Sequence, residues 1–195
     1  IVEEFVKKAI EYGIDIIRIF DAVNDPRNIR KSLEATKKYK AHAQVAISYT
    51  ISPVHSIENF VKLSKQFEDM GADSLCIKDM AGLLKPFAAF ELVSELKKNL
   101  KIPIQLHTHY TTGFGSMTYL KAAEAGVDVV DTALSPFAMG SSQPPTETIV
   151  ATFEDTKYNT GLDLNLLNQA SEYYRKVREK YLANGLLDPK ILAVD

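Results

Sequence analysis

One short phrase occurs three times in this chain and narrows its fold more than anything else. Glu11-Tyr12-Gly13-Ile14-Asp15, Asp69-Met70-Gly71-Ala72-Asp73 and Glu124-Ala125-Gly126-Val127-Asp128 all read acid-x-Gly-x-Asp. A stretch with helical spacing precedes each copy, and a short apolar run follows it. Glycine just past a helix end suits the left-handed backbone found there, because it has no Cβ to clash. The phrase is therefore a helix-to-strand junction used repeatedly, not a binding motif. Strand-like runs begin at 14, 43, 74, 102 and 127, at intervals of 29, 31, 28 and 25 residues. Each interval holds one strand and one crossover helix, which means βα units and a parallel α/β sheet.

The elements follow in order. Helical spacing covers residues 2–12, and a β-branched run covers 14–20. Asp25-Pro26 has the form of an N-cap with proline at the first helical position, opening a helix to about 39. Strand 43–50 is broken by Ser52-Pro53, and a helix spans about 57–70. Strand 74–78, a helix from Pro86 to about 100, strand 102–109, a small-residue helix at 116–125 and strand 127–134 complete five units. Residues 135–145, SPFAMGSSQPP, read as a loop of turn formers. Helices follow at about 146–158 and, capped by Asp163 or Asn165, to about 184. The tail from Gly185 has no period.

Five parallel strands suit either a doubly wound sheet or part of a barrel. No strand end carries the G-x-G-x-x-G that a dinucleotide-binding sheet requires. Polar residues instead gather at several C-terminal strand ends: Arg18 and Asp21, Ser48 and Thr50, Lys78 and Asp79, His107 and His109, Asp131 and Thr132. That distribution is the habit of a TIM barrel. The expected architecture is a (β/α)8 TIM barrel of which the last five βα units are present, followed by C-terminal helices. One domain, 1–195, would hold the βα units in 1–134 and the helices in 146–195. The chain opens on Ile1 inside a helical pattern, so residues upstream are expected.

Three side chains carry chemistry. His107 and His109 lie two apart on a strand, so their imidazoles leave the same face side by side. At a strand terminus opening on a βα loop, the pair reads as two metal ligands, or as one exposed and one buried structural histidine. Lys78 ends an otherwise apolar strand. It is either salt-bridged to a carboxylate or a ligand, since an ammonium cannot coordinate a metal but a lysine carbamate can. His55 reads as a helix-start residue, His42 as structural and Cys76 as core. Asp21 and Asp131 either orient metal ligands from behind, by hydrogen bonds, or are ordinary acids of the rim.

With 23 basic and 25 acidic residues the chain has no electrostatic case for nucleic acid. One cysteine rules out an internal disulfide and suits a reducing, cytoplasmic setting. No apolar run approaches a bilayer span.

The segments IIRIFDAVNDPRN, YTISPVHS, IKDMAGLLKP, LHTHYTTGFG and DVVDTALSPFAMGSSQPPTE are, in that order, similar to the carboxyltransferase domain of biotin-dependent pyruvate/oxaloacetate enzymes. That family includes the oxaloacetate decarboxylase α subunit, the pyruvate carboxylase B subunit and the transcarboxylase pyruvate-binding subunit. His107, His109 and Gly113 also fit the His-x-His-x-x-x-Gly pattern of the wider superfamily, which contains 3-hydroxy-3-methylglutaryl-CoA lyase. The resemblance implies metal-dependent carboxyl transfer between carboxybiotin and pyruvate or oxaloacetate through enolpyruvate. It implies Lys78 as a catalytic carbamate and metal ligand, His107 and His109 as ligands, and Arg18 as the holder of the substrate carboxylate; the alternative for Arg18 is a pairing with Asp21 or another rim acid. Zinc is the expected ion, with manganese or cobalt as alternatives, and biotin would arrive on a separate carrier domain or subunit. The resemblance also implies a homo-oligomer, and either a cytoplasmic enzyme or a decarboxylase subunit peripheral to the inner membrane. The family's aspartate ligand from an early strand has no counterpart here. The rival readings are an aldolase or lyase of the same superfamily, and a non-catalytic fragment.

Overall fold

Helix and strand alternate as the glycine junctions require. A computed structural model describes residues 1–187. It places α1 (Val2–Glu11), β1 (Ile16–Ile19), α2 (Pro26–Lys38), β2 (His42–Ser48), α3 (Ile57–Asp69), β3 (Ser74–Asp79) and α4 (Pro86–Asn99) in order. Then come β4 (Ile104–Thr108), α5 (Gly115–Glu124), β5 (Val129–Val130), α6 (Thr146–Phe153) and α7 (Leu164–Ala183). The strands form one parallel sheet in the order β1-β2-β3-β4-β5.

Gly13, Gly71 and Gly126 adopt φ of +94°, +102° and +94°, so all three junctions use the left-handed turn. The aspartate that closes the phrase adds a second function. Asp73 accepts the Ala43 N–H at 2.8 Å and pairs with Lys37 at the end of α2, at 2.5 Å. Asp128 repeats this with the Ile104 N–H at 2.8 Å and with Lys97 of α4, also at 2.8 Å. Each carboxylate thus ties the start of one strand to the start of its neighbour and to the preceding helix. Asp25 caps α2 through the Arg27 N–H, and Asp163 rather than Asn165 caps α7.

One face of the sheet is buried against the helices. Val45, Ile47, Leu75, Ile77, Ile104 and Leu106 point to the helices and meet Phe60, Phe67, Leu92, Val93 and Leu96 in a closed core. Each such side chain contributes about 1.5–3 kcal/mol of transfer free energy. The opposite face carries Arg18, Gln44, Ala46, Cys76, Lys78, Gln105 and His107. Arg18 on β1 touches Asp131, just past β5, at 2.7 Å. In a flat sheet four inter-strand spacings, roughly 19 Å, would part those two edges. The sheet must therefore curl into an arc that is concave on this polar face, the curvature of a barrel wall.

β1 and β4 are trimmed at both ends relative to the expected 14–20 and 102–109, and three further elements differ. β5 is two residues long, not eight, for a reason given below. α6 stops at Phe153, because Asp155 turns to φ +57° and the Thr156 N–H closes on the Phe153 carbonyl. The loop 135–145 begins with a 3-10 turn, Ser135–Phe137. Within the expected helical segment 146–195, residues 188–195 lie outside the described residues.

Candidate active site

Alternation along the strands decides which side chains reach the concave face, and register decides how they line up. Lys78 and His107 are paired positions on β3 and β4. Among the described residues the Lys78 amine makes no hydrogen bond or ion pair and lies 4.8 Å from the centroid of the Phe20 ring. The expected alternative of a salt-bridged lysine is not what this geometry shows. The His107 and His109 rings stand edge to face, with centroids 5.1 Å apart.

Both imidazoles are held from behind. His107 Nδ1 donates to Asp131 Oδ2 at 2.7 Å, and His109 Nδ1 donates to the Ser141 carbonyl at 2.5 Å. A proton on Nδ1 leaves the Nε2 lone pair available on each ring. His107 Nε2 is buried and has no partner, an orphan that demands explanation. A metal ion fits it, since imidazole ligands commonly present one nitrogen to the metal while the other donates to a carboxylate or carbonyl. No cluster of three or more His, Cys, Asp or Glu side chains suited to a metal occurs among the described residues. Lys78 stands beside His107 in the β3–β4 register.

Asp131 is the hub. Its Oδ2 accepts from both Arg18 Nη1 and His107 Nδ1, and its Oδ1 accepts from the Gln105 amide. Burial works to raise its pKa, but the hydrogen bonds from His107 and Arg18 and the Arg18 charge hold the carboxyl well below the ordinary range. Arg18 Nε donates to Gln44 Oε1 at 2.5 Å. Its Nη2 donates to none of the described residues. Cys76 lies beneath this group, fully buried, its thiol pushed up to about 12 by burial, and inert.

Two loops complete the rim. The Asp79 carboxylate is buried and accepts the Leu83 and Leu84 N–H groups and the Thr108 hydroxyl, at 2.8–2.9 Å. It thereby folds the β3–α4 loop and ties it to β4. Gly82, at φ +65°, lies so close that a Cβ would stand 2.7 Å from the His109 carbonyl. Thr111 and Thr112 donate to the Ala81 and Gly82 carbonyls, zipping the two loops together. From the other side the loop 135–145 folds back. Tyr110 N–H donates to the Ser142 carbonyl, and Gly140 bridges Tyr110. Glu147 pins that loop by accepting the Ser135 N–H at 3.0 Å and the Ser171 hydroxyl.

Of the sequence candidates, Lys78, His107, His109, Arg18 and Asp131 share one concave face. Asp21 is engaged elsewhere: its carboxylate accepts the Asp25 N–H at 2.9 Å and the Asn28 amide at 3.1 Å. It shapes the β1–α2 turn and hydrogen-bonds neither histidine. His42 bonds Ser74 and His55 bonds Ser52, both at 2.7 Å. Sequence reasoning passed over Gln44, Gln105, Tyr119 and the Ser141 carbonyl. Only the amides left a signal, as polar residues facing inward on strands otherwise apolar.

The HMGL-like family model matches residues 25–173. The chain is 60% identical over 181 residues to the pyruvate carboxylase B subunit of Methanocaldococcus jannaschii, covering 93% of this chain and 32% of the relative. It is 47% identical over 183 residues to the methylmalonyl-CoA carboxyltransferase 5S subunit of Propionibacterium freudenreichii subsp. shermanii, covering 93% and 36%. The carboxyl transferase domain of Rhizobium etli pyruvate carboxylase, solved with pyruvate, superposes with a TM-score of 0.91 at 36% identity, over 92% of this chain and 32% of that one. The chain spans about a third of the length of the B and 5S subunits and about a sixth of the Bacillus subtilis pyruvate carboxylase.

Proposed function

The chain belongs to the HMGL-like family, and from that premise we propose that it is part of a biotin-dependent carboxyltransferase acting on pyruvate or oxaloacetate. The observation that carries this reading is the paired imidazoles, each with Nδ1 tied off and Nε2 available, one of them buried and orphaned beside Lys78. His107, His109 and a carbamate of Lys78 would hold a divalent ion, with zinc favoured by the imidazoles and manganese or cobalt also compatible. When bound, that ion supplies a Lewis acid that draws charge from the ketone oxygen of a 2-oxo acid and so eases loss of a proton from its methyl carbon.

The remaining work falls to the chain itself. Arg18 offers Nη2 to the substrate carboxylate while its other nitrogens are fixed, so the guanidinium arrives already oriented. Asp131 keeps the proton of His107 on Nδ1, and the Ser141 carbonyl does the same for His109. In the carboxylation direction, the N–C bond of carboxybiotin breaks, the released CO2 bonds to the substrate methyl carbon, and the proton that carbon gave up goes to the biotin nitrogen. In the opposite direction, that C–C bond breaks, biotin takes up the CO2, and the biotin N–H proton goes to the methyl carbon. The biotin would come on a separate carrier domain or subunit. No described helix is long and apolar enough to cross a membrane. A cytoplasmic, homo-oligomeric enzyme is consistent with this reading.

Lys78 separates the reading from the superfamily's lyases, which share the histidine pair but not the lysine. In the full-length protein, Lys78→Ala should abolish carboxyl transfer and lower bound metal per chain. Transfer at the parent rate would remove the carbamate from the mechanism.

A further inference from the structure

Four side chains on the concave face close a ring of hydrogen bonds. Arg18 Nε donates to Gln44 Oε1, and the Gln44 amide donates to Gln105 Oε1 at 2.8 Å. The Gln105 amide donates to Asp131 Oδ1, and Asp131 Oδ2 accepts from Arg18 Nη1 at 2.7 Å. The ring runs across β1, β2, β4 and the end of β5. It passes over Ala46 and Cys76, both buried and small enough to leave the long side chains room.

Its direction is unambiguous. A guanidinium only donates, so the oxygen of Gln44 must face Arg18. An ionised carboxylate only accepts, so the nitrogen of Gln105 must face Asp131. The contact between the two glutamines then has one donor and one acceptor with no remaining choice. The second amide hydrogen of Gln44 goes to Ser74 Oγ at 3.1 Å. Gln44 is thus fully satisfied at a buried position, where an unmet amide is costly.

An isolated Arg–Asp pair tends to close into a two-pronged fork, both carboxylate oxygens on one guanidinium edge. Here the contact is single: Arg18 Nη1 meets Oδ2 alone, while Gln105 holds Oδ1 and Gln44 holds Nε. The consequence is at Oδ2, which keeps a direction shared with His107 Nδ1.

We infer that Gln44 and Gln105 are positioning residues that hold Asp131 so that its Oδ2 keeps the His107 proton on Nδ1 and leaves His107 Nε2 for a metal ion. The inference rests on the proposed function, and it names two amides that orient the machinery without touching substrate or metal.

The test uses the full-length protein with Gln105→Leu, similar in volume but without a donor, and Gln44→Met as a second variant that removes only the next link. The probe is Co²⁺ alone, titrated against a chelator, together with the nitrogen chemical shifts of His107 in metal-free protein. In Gln105→Leu the Nδ1–H tautomer should lose its dominance. Co²⁺ should bind at least about tenfold more weakly, the usual range for such outer contacts. Gln44→Met should move the same way by less, and it carries the test should Gln105→Leu fail to fold. An unchanged His107 tautomer and Co²⁺ affinity within twofold of the parent, in a folded variant, would overturn the inference. If the parent itself binds no Co²⁺, the proposed function fails instead, and the His107 tautomer still decides whether the ring positions Asp131.

Discussion

Removing one oxygen atom from Tyr119 should loosen the site from below. Tyr119 is fully buried on α5, and its hydroxyl stands between β4 and β5. It accepts the Thr108 N–H at 3.1 Å and donates to the Asp131 carbonyl at 2.6 Å. One residue earlier the strands still touch directly, through Asp131 N–H to the Leu106 carbonyl at 3.0 Å. The hydroxyl is therefore a spacer inserted into the ladder at the point where β5 ends, which explains the short strand. Tyr119→Phe keeps the ring and its packing but leaves the Thr108 N–H, in a buried residue, without a partner. That orphan costs about 1–3 kcal/mol, and the weakened Asp131 carbonyl adds about 0.5–1.5 kcal/mol. The expected loss is roughly 1.5–4.5 kcal/mol, which at about 2–4 °C per kcal/mol for a chain of this size lowers Tm by about 3–18 °C. Urea unfolding should show a lower midpoint at an unchanged slope. Faster hydrogen exchange at the Thr108 amide would localise the loss. A change below about 0.5 kcal/mol, with Thr108 exchange unaltered, would refute the spacer role, since surface-like substitutions fall in that range.

Two further perturbations follow from the loops. Gly82→Ala places a methyl group 2.7 Å from the His109 carbonyl at a φ of +65°, so it should destabilise by more than about 1 kcal/mol; an unchanged urea midpoint would contradict the close packing of the two loops. For Glu147, burial works to raise the pKa, but the Ser171 hydroxyl and the Ser135 contacts leave the carboxyl lowered when folded. Its contribution is therefore whole above the unfolded value, about 4.3, and is lost as the pH falls through the folded value. The stability gap between the parent and Glu147→Gln should shrink below about pH 4, and a gap constant from pH 3 to 7 would argue against it.

What could be read in the sequence is what local chemistry decides. A glycine past a helix end is a statement about one residue's φ, and all three junctions hold. The α2 cap is local in the same way, because Asp25 answers an N–H two residues on. β5 failed for the opposite reason. Val127 to Leu134 has the composition of a strand, but a hydroxyl from another element of the fold, on α5, takes the ladder position. The loop 135–145 has the composition of any surface turn. Its place against Tyr110 and His109 depends on Glu147 and on the packing of Phe137 against Tyr174 of α7. No window of neighbouring residues contains that information.

The site divides along the same line. His107, His109 and Lys78 could be placed because alternation and strand ends are short-range rules, and register then sets Lys78 opposite His107. Asp21 and Asp131 looked alike as acids at strand ends, yet their surroundings differ. Asp21 precedes a tight turn with Asn24, Asp25 and Asn28 close by, and the nearby N–H groups of that turn capture its carboxylate. Asp131 has no such local donor, so it accepts from Arg18, Gln105 and His107, up to 113 residues away. An acid whose neighbours in sequence cannot satisfy it is therefore available for a long-range assignment, whereas one flanked by turn N–H groups is not. The arc of the sheet makes the long-range choice possible, for only a curled wall lets a side chain on β1 reach one beyond β5. Curvature and hydrogen-bond ring thus support each other: the sheet brings the four side chains together, and their closed circuit holds the two edges of the sheet at that separation.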